Sequence, residues 1–222
     1  FKAKTVRSGK LRSLGTDRDL RPLYDQMEPL KYDVVICPHC GYAALTRFFG
    51  GLTAGQIKAI KENISANFHP VKEEKEIYTY EEALYRYKLC LANTIVKHGK
   101  VSEKAYICLK AGWLLRSMGE NLDPAVEDYN KKMQEIKEQE KDFLKNALDG
   151  LITARQTESY PICGMDEVTL EYLIAVLAME FEKYDISSRL IYNILNTPTV
   201  NNRIKDKARE VKDELLQQMG KK

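Results

Sequence analysis

Residues 166–181 read DEVTLEYLIAVLAMEF. Leu170, Leu173, Ile174, Leu177 and Phe181 recur at the spacing of one face of an α-helix. Asp166 stands where an N-cap carboxylate accepts the first unpaired N–H groups. Such a helix needs other helices against its apolar stripe, and the flanking sequence supplies them. Downstream, Asp185 is expected to cap a shorter helix carrying Leu190, Ile191 and Ile194, stopped at Pro198. A last helix follows with Ile204, Ala208, Val211 and Leu215.

Upstream the pattern continues to Thr53. Thr53-x-x-Gln56 and Thr79-x-x-Glu82 are capping boxes. The first opens a helix with Ile57, Ile60 and Ile64 on one face, the second a helix with Leu84, Tyr87, Leu91 and Ile95. His98-Gly99 reads as a glycine stop. Ser102 is expected to cap the next helix, with Ala105, Cys108, Gly112 and Leu115 inward. Asp123-Pro124 is expected to start a long charged helix through Tyr129, Met133, Ile136, Phe143 and Ala147. Short links between helices of similar length imply antiparallel hairpins. Two of them carry small residues at similar places: Ala92, Gly99 and Ala105 in one; Ala175, a turn at Lys183-Tyr184-Asp185 and Ser187 in the other. This pattern predicts an irregular tetratricopeptide-like array, with a plain helical bundle as the alternative.

Residues 1–50 differ, with glycines outside any helical pattern. Phe1–Val6 and Tyr32–Ile36 read as short strands, and GTDRDLRPLYDQMEPLKY between them as loop. The predicted fold class is therefore mainly α, a tetratricopeptide-like helical hairpin array with a small N-terminal β, zinc-ribbon-like module. The division expected is 1–50 for the module and 51–222 for the helices.

Within the module, residues 37–41 read CPHCG. Two thiolates two residues apart can ligate one metal, with the turn's N–H groups donating to the sulfurs and a glycine taking the left-handed position. Cys37 and Cys40 are therefore the candidate metal ligands, for structural zinc. They form only half of a tetrahedral site. Cys90 and Cys108 fall on or near apolar stripes and read as core; Cys163, His69 and His98 stand singly. A redox pair is the competing chemistry, because disulfide oxidases also carry Pro-His between their cysteines. That chemistry needs Cys37 at a helix N-terminus in a βαβ frame, and no such alternation is visible.

The 222 residues are 44% hydrophobic and 30% charged, ordinary for a globular chain. No apolar run approaches the ~18 residues of a membrane span. The basic start, FKAKTVRSGKLRS, has no apolar segment of the kind a signal peptide needs, and its opening on Phe implies preceding residues. Five scattered cysteines fit a reducing cytoplasm better than a disulfide framework.

KTVRSGKLRSLGTDRDLRPLYDQMEPLKYDVVICPHCGYAALTRFF and CGMDEVTLEYLIAVLAMEFEKYDISSRLI resemble a bacterial family found mainly in Firmicutes, domain of unknown function 2225. The likeness is collinear over essentially the whole chain. It implies a zinc-ribbon-like start and tetratricopeptide-like helices, and no activity. Members typically carry a further Cys-Pro-x-Cys a few residues before the position of Phe1. With Cys37 and Cys40 that pair would complete a four-thiolate zinc site; it is not among these 222 residues, and zinc retention by them is expected to depend on it.

No phosphate loop, H-E-x-x-H or nucleophile frame is present, so the reading is non-enzymatic: an interaction or scaffold module with a structural zinc knuckle and a protein or peptide partner. The many tyrosines fit either an interface or hairpin packing. Nucleic-acid binding is the first alternative, resting on Lys2, Lys4, Arg7, Lys10, Arg12, Arg18 and Arg21. Thiol oxidoreduction by Cys37 and Cys40 is the second. No membrane partner is expected.

Overall fold

The computed structural model describes residues 1–6, 9, 11–25, 27–69 and 77–220. Within them the chain is mainly helical, with two small antiparallel sheets near its start. Strands β1 (Ser13–Thr16) and β2 (Pro22–Tyr24) form one hairpin, with an irregularity between Ser13 and Gly15. Strands β3 (Val34–Ile36) and β4 (Ala43–Leu45) form the other, pairing Val34 with Leu45 and Ile36 with Ala43. Phe1–Val6, expected as a strand, is described without strand pairing, and the expected loop of residues 15–32 contains most of the β1–β2 hairpin. The missed signal was Thr16-Asp17-Arg18-Asp19, whose turn closes through the Asp17 N–H donating to the Arg21 carbonyl at 2.8 Å.

Helices α1 (Ala54–Asn63) and α2 (Tyr80–Val96) both begin with the expected capping boxes, Thr53 with Gln56 and Thr79 with Glu82. Helix α3 (Val101–Glu120) pairs with α4 (Tyr129–Thr157). Their contact is close because small residues meet larger ones: a Cβ on Gly112 would stand 2.6 Å from Leu144, and one on Gly150 would stand 2.7 Å from Ala105. Helix α5 (Glu167–Glu180) is buried continuously from Leu170 to Met179, so the expected stripe is part of an all-round apolar surface. It is the central element, packed by α4, α6 (Tyr184–Asn196) and α7 (Asn202–Met219).

Several expected boundaries move, each for a local reason. Helix α4 starts at Tyr129 rather than Asp123-Pro124. Asp123 closes only a turn, accepting the Ala125 N–H, and Asp128 at φ +58° interrupts the chain before the helix. Ser102 lies inside α3 instead of capping it. Glu158, from the end of α4, accepts the Ser102 N–H at 2.9 Å and its hydroxyl at 2.6 Å, so the cap comes from 56 residues away. Asp185 lies in the first turn of α6, whose N-cap position is Lys183. The left-handed residue after α2 is His98, at φ +52°, rather than Gly99. Ile57 and Ile95, expected inward, are exposed, and Ala83, Cys90 and Thr94 take the inner face of α2 instead.

The hairpins α2–α3 and α5–α6 turn identically. After α2, His98 N–H bonds the Ile95 carbonyl and Gly99 N–H the Thr94 carbonyl; after α5, Glu182 bonds Met179 and Lys183 bonds Ala178. Both are Schellman turns with a left-handed residue at the same place, His98 and Glu182.

One core runs from the first strands into the helices, joining Leu30, Val34, Ala43 and Leu45 to Tyr87, Ile107, Leu148 and Leu173. A smaller cluster of Tyr42, Ala44 and Ile60 gathers Cys37, Cys40, Phe49, Leu52, Ile64 and Val96.

Candidate metal knuckle

The β3–β4 hairpin sets the geometry of Cys37 and Cys40. Beyond Ile36–Ala43, the Cys37 N–H donates to the Tyr42 carbonyl at 2.7 Å and the Gly41 N–H to the Cys37 carbonyl at 3.0 Å. The chain therefore turns through Pro38, His39 and Cys40 and returns at Gly41, whose φ of +71° lets it re-enter the hairpin. Pro38 and His39 are exposed at the apex, while Cys37 and Cys40 are half-buried behind them.

Burial pushes the Cys37 thiol up, but N–H donation from His39 and Cys40, with a bond from the Cys40 thiol, outweighs it and holds Cys37 below its ordinary value. Burial pushes Cys40 up despite a hydrogen bond from the Tyr42 N–H, and the Cys37 sulfur adds to the rise. Two cysteines two residues apart in one tight hairpin turn have the spacing that a metal knuckle uses. Cys37 ends a strand and enters a hairpin turn, unlike the helix N-terminus that the redox alternative requires.

The helical part holds the knuckle from behind. Ser65 Oγ donates to the Cys40 carbonyl at 2.7 Å, and Asn93 Nδ2 to the Gly41 carbonyl at 3.1 Å. The Phe68 ring covers Gly41 so closely that a Cβ there would stand 2.5 Å from it. Phe1 lies alongside: its ring meets Phe49 edge-on at 6.0 Å.

A model of the bacterial family described as "Uncharacterized protein conserved in bacteria", domain of unknown function 2225, matches residues 1–215. The chain belongs to this family. No curated protein and no solved structure matches it.

The two thiols of this family member fit half of a tetrahedral zinc site. Among the described residues, no group of three or more His, Cys, Asp or Glu is placed to hold a metal. The remaining cysteines stand apart. Burial raises Cys90 to about 12 and Cys108 to about 11, as befits core thiols. Cys163, also raised by burial, has its Sγ 3.3 Å from the Ser102 carbonyl and donates to it. His69 lies near Asn67, and His98 is the left-handed residue after α2.

Two of the basic residues of the nucleic-acid alternative are engaged within the protein. Arg21 is buried, bonded to Ser117 at 3.0 Å and held by both Glu120 oxygens. Arg18 pairs with Glu214. Arg7 and Lys10 lie outside the described residues. The tyrosines divide: Tyr78, Tyr87 and Tyr172 are buried, while Tyr85 and Tyr192 face solvent. No described helix is long and apolar enough to cross a membrane.

Proposed function

We propose that this protein is a non-enzymatic scaffold whose Cys37–Cys40 knuckle holds structural zinc beside a tetratricopeptide-like array that receives a protein partner. The turn that brings Cys37 and Cys40 together, closed by the Cys37 N–H on the Tyr42 carbonyl and by Gly41 at φ +71°, carries the metal reading. The N–H groups of such a turn would offset the charge of two metal-bound thiolates. The family resemblance implies a second Cys-Pro-x-Cys a few residues before Phe1. With Phe1 beside the knuckle, such a pair would come within reach of the same ion. Zinc bound there would serve structure, with no open position for substrate.

The array reading is supported by the repeated turns of α2–α3 and α5–α6. The outer faces of α2 and α6 expose Tyr85, Ile95 and Tyr192, which suit docking of an apolar segment. Cytoplasmic residence fits free thiols at five positions.

Metal analysis of the full-length natural protein tests the reading. Stoichiometric zinc is expected, lost in Cys37→Ser and Cys40→Ser. Zinc absent from the wild type, or retained by both variants, contradicts it.

A further inference from the structure

The peptide group between Gly41 and Tyr42 closes the knuckle turn, and its carbonyl accepts from Asn93 Nδ2 at 3.1 Å. A trans peptide is planar, so a fixed carbonyl fixes the orientation of the whole group. Asn93 is fully buried on α2, and its Nδ2 also donates to the Leu89 carbonyl at 2.9 Å. Rotating the amide would break both bonds.

The preceding peptide group is held in the same way. Its carbonyl, on Cys40, accepts from Ser65 Oγ at 2.7 Å, and its N–H, on Gly41, donates to the Cys37 carbonyl at 3.0 Å. Both peptide groups that follow the Cys40 side chain are thus clamped from the helical part, one by the turn after α1 and one by α2. Asn93 Oδ1 is buried without a hydrogen-bond partner among the described residues. A leucine of similar volume would fill the space at lower desolvation cost, so the value of this side chain lies in its donor end.

We propose that Asn93, with Ser65, is a positioning residue for the Cys40 thiolate, coupling metal binding at the knuckle to the packing of α1 and α2 behind it. The inference rests on Cys37 and Cys40 being metal ligands. The two carbonyl bonds hold the backbone on either side of Gly41, and with it the direction in which the Cys40 side chain leaves the turn. Removing a group that orients a ligand weakens metal binding. The coupling is reciprocal. Whatever factor Asn93 adds to metal affinity, bound metal returns to the Asn93 contact.

The test uses Co(II) as the probe, added to the metal-stripped full-length protein and titrated against a chelator. Asn93→Leu is expected to weaken Co(II) binding about tenfold to a hundredfold, the usual loss when a group supporting a ligand is removed. Ser65→Ala is expected to weaken it in the same direction. Leu84→Ala is the control: Leu84 lies in the main core, away from the knuckle cluster. It is expected to lower the melting temperature while leaving Co(II) affinity unchanged. Wild-type affinity in both Asn93→Leu and Ser65→Ala overturns the proposal, as does an equal loss in Leu84→Ala. Should Asn93→Leu not fold, Ser65→Ala, at a half-buried hydroxyl, decides alone. Failure of the underlying metal reading looks different: the wild type gives no thiolate–Co(II) absorption, or Cys37→Ser binds as tightly as wild type, and the proposal then falls with it.

Discussion

Gly41 shows how much one residue carries here. Its φ of +71° is strained for any side chain, and a Cβ would meet Phe68 at 2.5 Å. Gly41→Ala is expected to cost about 2–3 kcal/mol, from left-handed strain plus displacement of an aromatic ring. Urea denaturation of the metal-free protein checks this, and a loss below about 0.5 kcal/mol contradicts it. At this scale the sequence was legible where chemistry is local. CPHCG announces its turn because Pro38, the two thiols and Gly41 lie within five consecutive positions. The hydrogen bonds that hold that turn come from Ser65 and Asn93, 25 and 52 residues away. Neither residue type at those positions carries a local signal. Asn93 sits in the last turn of α2, where the pattern indicates only a polar interruption on the inner face.

Helix starts divide along the same line. Thr53, Thr79 and Asp166 cap their own helices as the sequence indicates, because donor and acceptor are three residues apart; Asn201 caps α7 in the same way, a start the apolar pattern alone did not mark. Helix α3 was misread because its cap, Glu158, arrives from the far end of α4. Asp166 also gives the chain a specific acid response. Thr169 donates to it through its side chain and its N–H, which holds Asp166 below the ordinary 3.8. A depressed folded pKa means that the cap's contribution is present above the unfolded value and is lost as pH falls through the lower folded one. Asp166→Ala is therefore expected to be about 1 kcal/mol less stable than wild type near neutrality. That gap should narrow as pH falls below about 4. Denaturation curves across this range check it, and a gap independent of pH contradicts the assignment. Glycines in helices make a matched pair of predictions. Gly55 in α1 has open space around it, so Gly55→Ala is expected to stabilise by up to about 1 kcal/mol. Gly150 in α4 faces the Ala105 Cβ, which cannot swing aside. Gly150→Ala should destabilise by about 1–3 kcal/mol despite better helix propensity. Melting temperatures of the two variants moving in the same direction would refute the close α3–α4 contact.

Across the whole molecule, the β1–β2 hairpin acts as a clasp on the helices. Asp19, at 3% exposure, accepts from Trp113 Nε1 at 2.9 Å and pairs with Arg116 at 2.9 Å. Arg21 reaches Ser117 and Glu120 on the same helix, and Lys207 on α7 reaches Thr16 at 3.0 Å. Asp19→Ala strands the Trp113 N–H and removes one of the three carboxylates on Arg116, leaving Asp17 and Glu140, with an expected loss of about 1–3 kcal/mol seen as a lower urea midpoint. Composition showed Asp17, Asp19, Arg18 and Arg21 only as charges on a loop; their partners lie on α3 and α7, beyond any local pattern. The helical character of the chain was legible because apolar periodicity persists over most of its length. The sharing of one core between the first 50 residues and the helices was not, since Leu30, Val34 and Leu45 have no periodic relation to the helices they meet.

The central claim is that Cys37 and Cys40 are thiolate ligands of a structural metal. Co(II) absorption of the metal-stripped, reloaded full-length protein tests it most directly. The account predicts intense thiolate–Co(II) charge transfer with the visible bands of a tetrahedral thiolate site, abolished by Cys37→Ser. A spectrum with weak bands of octahedral oxygen coordination, unchanged by Cys37→Ser, would contradict it.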